Sequence, residues 1–170
     1  MQKKTNFEKA IKTRYPEQVV IAIAKDKFGR ANPVTLGWTM LASGEPPMMA
    51  IAVYKGHYSI KTIRHSKCFT ICYPSAKMAD AALFFGSRSG GDSDKFAEFK
   101  KCKTSPAKVI DSVLLDDAVA NFECRLVSET KAGDHIIFVG KVVACHVNSE
   151  DKKRLYTVGP DRELGGVRKK

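Results

Sequence analysis

Residues 32–39 combine the side chains and the backbone freedom that a flat, partly polar ligand requires. The segment reads Asn-Pro-Val-Thr-Leu-Gly-Trp-Thr and contains Trp38, the only tryptophan of the chain. Gly37 lies within a strand-like run, where the lack of a side chain lets a planar ring approach the backbone. Thr35 and Thr39 carry hydroxyls that can bond the polar edge of such a ring. The same pattern also fits an ordinary strand with a tryptophan in the core.

A second candidate site is the loop at residues 86–93, which reads Gly-Ser-Arg-Ser-Gly-Gly-Asp-Ser and is followed by Lys95. A helix is predicted over residues 94–101, because its first turn is acidic and its last turn is basic. Loop N–H groups, a helix N-terminus and an ammonium group together suit a phosphate dianion. A mobile surface loop is an equally good interpretation of this composition.

A third candidate is His135, which follows Gly133 and Asp134 at a predicted turn between two long strands. An imidazole at this position can donate to a carbonyl or exchange a proton near neutral pH. A surface histidine without a chemical role is the alternative interpretation.

Local motifs for nucleophilic, zinc-dependent and phosphoryl-transfer catalysis are absent from the sequence, which has no GxSxG, HExxH, Walker or CxxC pattern. His65, Cys68 and Cys72 have a spacing that suggests part of a metal site, but a strand would spread them over about 20 Å. We therefore predict no metal site and no catalytic side chain in the strict sense. If the protein is an enzyme, we expect a bound cofactor to carry the reaction.

Strand-like segments dominate the chain and connect locally. Apolar patterns predict strands at residues 19–25, 31–41, 48–54, 68–73, 118–130 and 135–147, and helices at residues 58–63, 76–85 and 94–101. Residues 26–30 and 131–134 supply turns for two hairpins. The simplest closure is a mainly β, antiparallel barrel with helices covering its openings.

Composition predicts one domain over residues 1–170, with 44% hydrophobic and 28% charged residues. The apolar run at residues 19–24, like every other apolar run of the sequence, is too short to span a membrane, and no leader-like segment begins the sequence. We therefore predict a cytoplasmic protein with no membrane partner. The five cysteines lack paired spacing, which indicates reduced thiols, and Cys68, Cys72, Cys124 and Cys145 are predicted to be core residues.

The net charge of +11 raises the question of a polyanionic partner. Much of the excess lies at the two ends, in residues 1–16 and 152–170. No zinc-finger, helix-turn-helix or aromatic RNA-binding signature accompanies it. Nucleic acid is therefore not a predicted partner, and attraction for small anions is the favoured interpretation.

Taken in order, these segments resemble the flavin reductase-like family, and within it the flavoredoxin branch. The resemblance rests on residues 32–39, 46–48, 51–53, 58–63, 86–96 and 133–140. The family usually ends with a Gly-Gly-x-Tyr-like segment, whereas residues 159–164 here read Gly-Pro-Asp-Arg-Glu-Leu.

The resemblance implies an FMN-binding split β-barrel that works as a homodimer, with non-covalent FMN near the subunit interface. The residues implied to contact the cofactor are Asn32, Thr35, Leu36, Gly37, Trp38, Thr39, Ala52, Val53, Tyr54, Ser59, Ser89, Gly90, Lys95 and His135. Residues 32 and 35–39 would line the isoalloxazine ring, with Trp38 against its edge or face. Residues 52–54 and Ser59 would meet the ribityl chain and phosphate. Residues 89, 90 and 95 would complete the anion site, with His135 close to the flavin.

The implied activity is that of an FMN-dependent oxidoreductase. One form is an NAD(P)H-dependent flavin reductase, with the nicotinamide stacked on the flavin. The other is an electron carrier reduced by another protein. A non-enzymatic flavin- or haem-binding regulator on the same barrel is the alternative, which the basic ends of the chain keep open.

Overall fold

The computed structural model describes residues 1–167, and strands make up most of its regular structure. The helices are α1 (Phe7–Ile11), α2 (Ser59–Ser66), α3 (Ala79–Ser87) and α4 (Lys95–Glu98), with 3-10 turns at Lys12–Arg14 and Ala76–Met78. The strands are β1 (Glu17–Gln18), β2 (Val20–Lys25), β3 (Ala31–Leu36), β4 (Thr39–Gly44), β5 (Pro47–Tyr54), β6 (Cys68–Tyr73), β7 (Thr104–Pro106), β8 (Val113–Leu115), β9 (Ala120–Ala132), β10 (His135–Val147), β11 (Arg154–Thr157) and β12 (Leu164–Val167).

Seven strands form the main sheet in the order β3-β2-β6-β9-β10-β5-β4, and every neighbouring pair is antiparallel. The fold is the predicted antiparallel split barrel. Both predicted hairpins are confirmed, because Ala24 pairs with Asn32 and Ala132 pairs with His135. β3 and β4 are consecutive in the chain but lie at opposite ends of the strand order, so the split lies between them.

The prediction of one strand over residues 31–41 is wrong. The chain leaves β3 after Leu36, passes through Gly37 and Trp38, and starts β4 at Thr39 on the other edge of the sheet. The crossing is fixed by pairing on the far side, where Ala52 N donates to Trp38 O at 2.9 Å. Both halves have the apolar pattern of a strand, so this pattern does not indicate that they pair with different strands.

The core has two parts, on the two faces of β2. Val20 and Ala22 pack in the first cluster with Phe69 and Phe138, whereas Ile21 and Ile23 pack in the second with the helical residue Phe85. In a strand that is buried on both faces, apolar residues do not alternate with polar ones. This explains the unbroken apolar run of β2 and places α3 against its outer side.

Two smaller predictions need correction. The helix predicted over residues 94–101 is shorter, because α4 ends at Glu98. Cys145 is exposed, not a core residue, whereas Cys68, Cys72 and Cys124 are buried as predicted. Within residues 1–167, no helix has the length and apolar character needed to cross a membrane.

A buried carboxylate on β9 anchors the loop before β8. Glu123 is fully buried and accepts hydrogen bonds from the backbone N–H groups of Lys108, Val109 and Ile110 at 2.8, 2.7 and 3.0 Å. His146 Nε2 lies 2.7 Å from the same carboxylate. Burial alone would raise the pKa of Glu123, but these donors together outweigh it and lower that pKa.

We expect Glu123→Gln to lower the free energy of unfolding at pH 7 by about 2–4 kcal/mol, since a buried amide cannot satisfy the same donors. The folded-state pKa of Glu123 is the lower one, so its carboxylate stabilises the fold above the unfolded-state pKa. That contribution disappears as the pH falls through the folded pKa. Urea unfolding over a pH series should therefore show the variant and the wild type converging in acid.

Glu129→Gln is the control on the same strand. Its carboxylate pairs with Arg64 at the surface, 2.7 Å away. Loss of such an exposed pair costs at most about 1 kcal/mol. Equal losses in the two variants would contradict the anchoring role of Glu123.

Candidate functional site

Two adjoining cavities lie where β3, the start of α2 and the end of α3 meet. The first, the polar cavity, has a volume of about 230 Å³, and its wall includes Ser59, Ser87, Arg88, Ser89, Gly90 and Lys95. The second, the apolar groove, has a volume of about 310 Å³, and its wall includes Thr35, Leu36, Gly37, Ala82, Leu83 and Leu164. His57 and Gly86 line both cavities, so the two adjoin, with Lys95 in the wall of the polar cavity and mostly apolar and small side chains in the wall of the groove.

Lys95 places a positive charge at the wall of the polar cavity. It is the first residue of α4, behind Asp94, whose side chain caps the helix. Lys95 is 3% exposed, and its Nζ donates to Pro33 O at 2.8 Å and Phe85 O at 2.9 Å. Burial lowers the pKa of Lys95 to about 8. An ammonium group has three N–H donors, so one remains for a ligand after these two bonds.

Asn32, Ser59 and Gly90 form a close contact beside the polar cavity. Asn32 Nδ2 donates to Ser59 Oγ at 3.0 Å, while the buried Asn32 Oδ1 has no hydrogen-bond partner among residues 1–167. A Cβ at Gly90 would lie 1.8 Å from that oxygen. Only glycine lets the loop approach this closely.

His57 is a site residue that the sequence analysis missed. It lies between the two cavities, and its ring contacts that of Tyr54 edge to face, with centroids 5.6 Å apart. Loss of hydration lowers the pKa of His57, and the charges of Lys95 and His135 lower it further. The sequence signal that could have identified His57 is its position between a predicted strand and the helix that starts at Tyr58-Ser59. The analysis also missed Arg88 and Arg162, which line the polar cavity and the apolar groove respectively.

The structure brings about half of the predicted residues together. Thr35, Leu36, Gly37, Ser59, Ser89, Gly90 and Lys95 line the two cavities, and Asn32 adjoins them through Ser59. Thr35 Oγ1 donates to Ala82 O at 2.7 Å, which fixes β3 against α3. The Thr35 hydroxyl, which was expected to bond a ligand, therefore also fixes the distance between the two sides of the groove.

The other predicted residues lie elsewhere. Trp38, Thr39 and Ala52 line a separate apolar cavity of about 240 Å³, because the chain has crossed to the other edge of the sheet. The side chain of Val53 is fully buried in the core and has no access to either cavity of the site.

Tyr54 and His135 pack beside Trp38, on that other edge. The ring centroids of Trp38 and His135 are 4.4 Å apart, and those of Tyr54 and His135 are 5.7 Å apart. His135 Nδ1 lies 2.7 Å from Asp134 Oδ1, and this bond lowers the pKa of Asp134. Trp38 is therefore neither a core residue nor part of the apolar groove. It is 53% exposed.

In a comparison with known sequences, residues 13–164 match the family model described as "Flavin reductase like domain". A relative described as a flavin reductase from Pseudomonas putida is 28% identical over 151 residues, covering 89% of this chain and 85% of that protein. An uncharacterized protein from Aeropyrum pernix is 27% identical over 150 residues, which cover 88% of this chain and only 57% of that longer protein.

Comparison with solved structures agrees on the fold. Flavoredoxin from Methanosarcina acetivorans superposes with a TM-score of 0.86 at 23% sequence identity, covering 100% of this chain and 93% of that one. At this identity the likeness establishes the shared architecture and nothing about the ligand.

We expect Gly90→Ala to destabilise the protein by about 1–3 kcal/mol, because the added methyl group cannot avoid Asn32 Oδ1 without moving the loop or the buried amide. Thermal unfolding measures this loss. Gly44→Ala is the control, since a Cβ there meets no atom within 4 Å. Adding Asn32→Ala to Gly90→Ala removes the colliding oxygen and should recover part of the stability. A Gly90→Ala protein as stable as the wild type would contradict the close contact.

Proposed function

The chain belongs to the family of flavin reductase-like domains, and from this premise we propose that it binds FMN without a covalent bond and passes electrons through it as an oxidoreductase. We infer NAD(P)H as the electron donor and a small molecule or a protein as the acceptor. The similarity to the Pseudomonas putida flavin reductase supports a reductase.

One observation carries the choice of FMN: a polar cavity with a serine- and glycine-rich loop and Lys95 lies at one end of the site, and a more apolar groove lies at the other. FMN has the same division, with a phosphate dianion at one end and a flat, largely apolar ring system at the other. Its single terminal phosphate matches a single polar cavity. A serine- and glycine-rich loop and a buried ammonium group suit such a phosphate.

The residues present fit this group. Ser59 and Ser89 offer hydroxyl donors, and Lys95 offers a charged donor in the same cavity. The close approach of Gly90 to Asn32 keeps the loop against the cavity without a side chain in between. These groups would hold the phosphate, and the segment from Thr35 to Gly37 would line one side of the ring.

When bound, FMN supplies the electron-accepting and electron-donating chemistry. The protein holds and orients it. Lys95 keeps its charge in place through the carbonyls of Pro33 and Phe85. The bond from Thr35 to Ala82 fixes the groove between β3 and α3, and the side chains of Leu36 and Leu83 give its wall an apolar surface.

We expect Lys95→Met to weaken FMN binding by about ten- to a hundredfold, because a charge-assisted contact of about 1.5–3 kcal/mol is lost. Riboflavin lacks the phosphate, so its affinity should change little. Titration of the flavin-free protein with each compound, followed by fluorescence quenching, measures both constants. Lys77→Met is the control, since Lys77 is exposed and lines neither cavity. Equal effects on FMN and riboflavin would show that Lys95 supports the fold and not the phosphate.

The same titration has a predicted pH dependence. The phosphate of FMN is doubly charged well above pH 6, whereas Lys95 with a pKa of about 8 loses its charge as the pH rises further. The affinity for FMN should therefore fall as the pH rises past 8. Neither riboflavin with the wild type nor FMN with Lys95→Met should show this fall.

We also propose that the protein is a homodimer that pairs through the β4 edge. Met40 and Leu41 on this edge strand are 59% and 78% exposed, and Trp38 and Tyr54 lie exposed nearby. The apolar cavity beside Trp38 opens on the same surface. Exposed apolar side chains on an unpaired edge strand are typical of a protein–protein interface, and symmetric homodimers are the commonest assemblies.

Met40→Lys combined with Leu41→Lys should convert the dimer to a monomer, because two charges would be buried without partners at the interface. Light scattering at micromolar concentration measures the mass. Val147→Lys is the control on another part of the surface, where Val147 is 79% exposed. A wild-type protein that is monomeric under these conditions would overturn this interface.

A further inference from the structure

Among residues 1–167, Arg162 is the one arginine on the wall of the apolar groove. It belongs to the turn between β11 and β12, and it lines the groove with Thr157 and Leu164 from the same hairpin. No aspartate or glutamate of the described part of the chain lines this groove. Glu17 lies beside the wall, with its carboxyl carbon 3.1 Å from where a Cβ of Gly37 would stand, and Arg14 pairs with that carboxylate at 2.9 Å.

The backbone at this turn is strained. Asp161 and Arg162 have φ angles of +60° and +62°, in the left-handed region that non-glycine residues rarely occupy. The turn is closed by bonds from Val158 N to Glu163 O at 2.8 Å and from Glu163 N to Pro160 O at 3.3 Å. Glycine would relieve the strain at either position, so the presence of a long cationic side chain instead points to a role for that side chain.

Arg162 is also available as a charge. Within residues 1–167 it forms no ion pair, and all nine ion pairs of that part of the chain involve other residues. The carboxylate of neighbouring Glu163 lies over Gly159, where an added Cβ would collide with it. Arg162 therefore contributes to the groove wall a solvent-exposed cationic side chain that forms no ion pair within residues 1–167.

A lone cation suits a ligand that gains negative charge where its ring lies. FMN that takes up two electrons and one proton carries one more negative charge on its ring than oxidised FMN. A nearby positive charge favours the more negative form. On the basis of the proposed function, we propose that Arg162 makes the site bind reduced FMN more tightly than it otherwise would, and so raises the reduction potential of the bound flavin.

The test compares Arg162→Gly, Arg162→Lys and Arg125→Gln with the wild type. Each protein is loaded with FMN and reduced stepwise with dithionite in the presence of a reference dye, and the affinity for oxidised FMN is titrated separately. Together these give the ratio of the dissociation constants for oxidised and reduced FMN. Arg125 is exposed on β9 and lines neither cavity, so it controls for a general change of charge.

Arg162→Gly removes the charge and relieves the strain, so the melting temperature should not fall while the ratio falls by about tenfold, which corresponds to about 30 mV for a two-electron couple. Arg162→Lys should keep most of the wild-type ratio, and Arg125→Gln should keep all of it. If Arg162→Gly weakens the binding of oxidised and reduced FMN equally, or leaves both dissociation constants unchanged, the inference is overturned. If the wild type binds no FMN, it is the proposed function that fails.

Discussion

The closure of the barrel depends on how the chain crosses the gap between its two edge strands. β3 and β4 lie at opposite edges of the sheet, so the link through Gly37 and Trp38 has to cross the split. The two-residue strand β1 holds this link. The carboxyl carbon of Glu17 lies 3.1 Å from where a Cβ of Gly37 would stand, and the side-chain amide of Gln18 donates to Thr39 O. A side chain at position 37 would press on that carboxylate, and the Glu17 side chain would have to move by a few tenths of an ångström.

The same short strand also brings the C-terminal hairpin to the site. β1 pairs with β11, with Glu17 opposite Thr157 and Gln18 opposite Tyr156. Arg154 of β11 donates to Gln18 Oε1 at 3.3 Å, and its guanidinium group lies 3.6 Å from the ring centroid of Tyr73. The apolar groove is thus formed by segments more than a hundred residues apart. A substitution that displaces the link at Gly37 and Trp38 should therefore also change the shape of the groove, since β1 contacts both.

The sequence was informative where structure is local. The run of β2, the two hairpins and the loop before Lys95 followed from apolar patterns and turn chemistry. The sequence was misleading where pairing partners decide the outcome. Residues 31–41 have the pattern of one strand, but their two halves pair with β2 and β5, and this separates Trp38 from the groove. Arg162 and His57 were missed because neither stands in a motif, and only the packing of distant segments places them at the site.

The two cations of the site differ in a way that matches the two ends of the proposed ligand. A phosphate keeps its charge while electrons come and go, so a lysine tied to two carbonyls needs only to stay in place. A ring that is reduced and reoxidised changes its charge at every turnover. A guanidinium group does not titrate over any physiological pH, whereas a buried ammonium such as Lys95, with a pKa of about 8, loses its charge in mild alkali. An arginine at the ring end therefore gives a field that stays constant over a pH range in which a buried lysine would not.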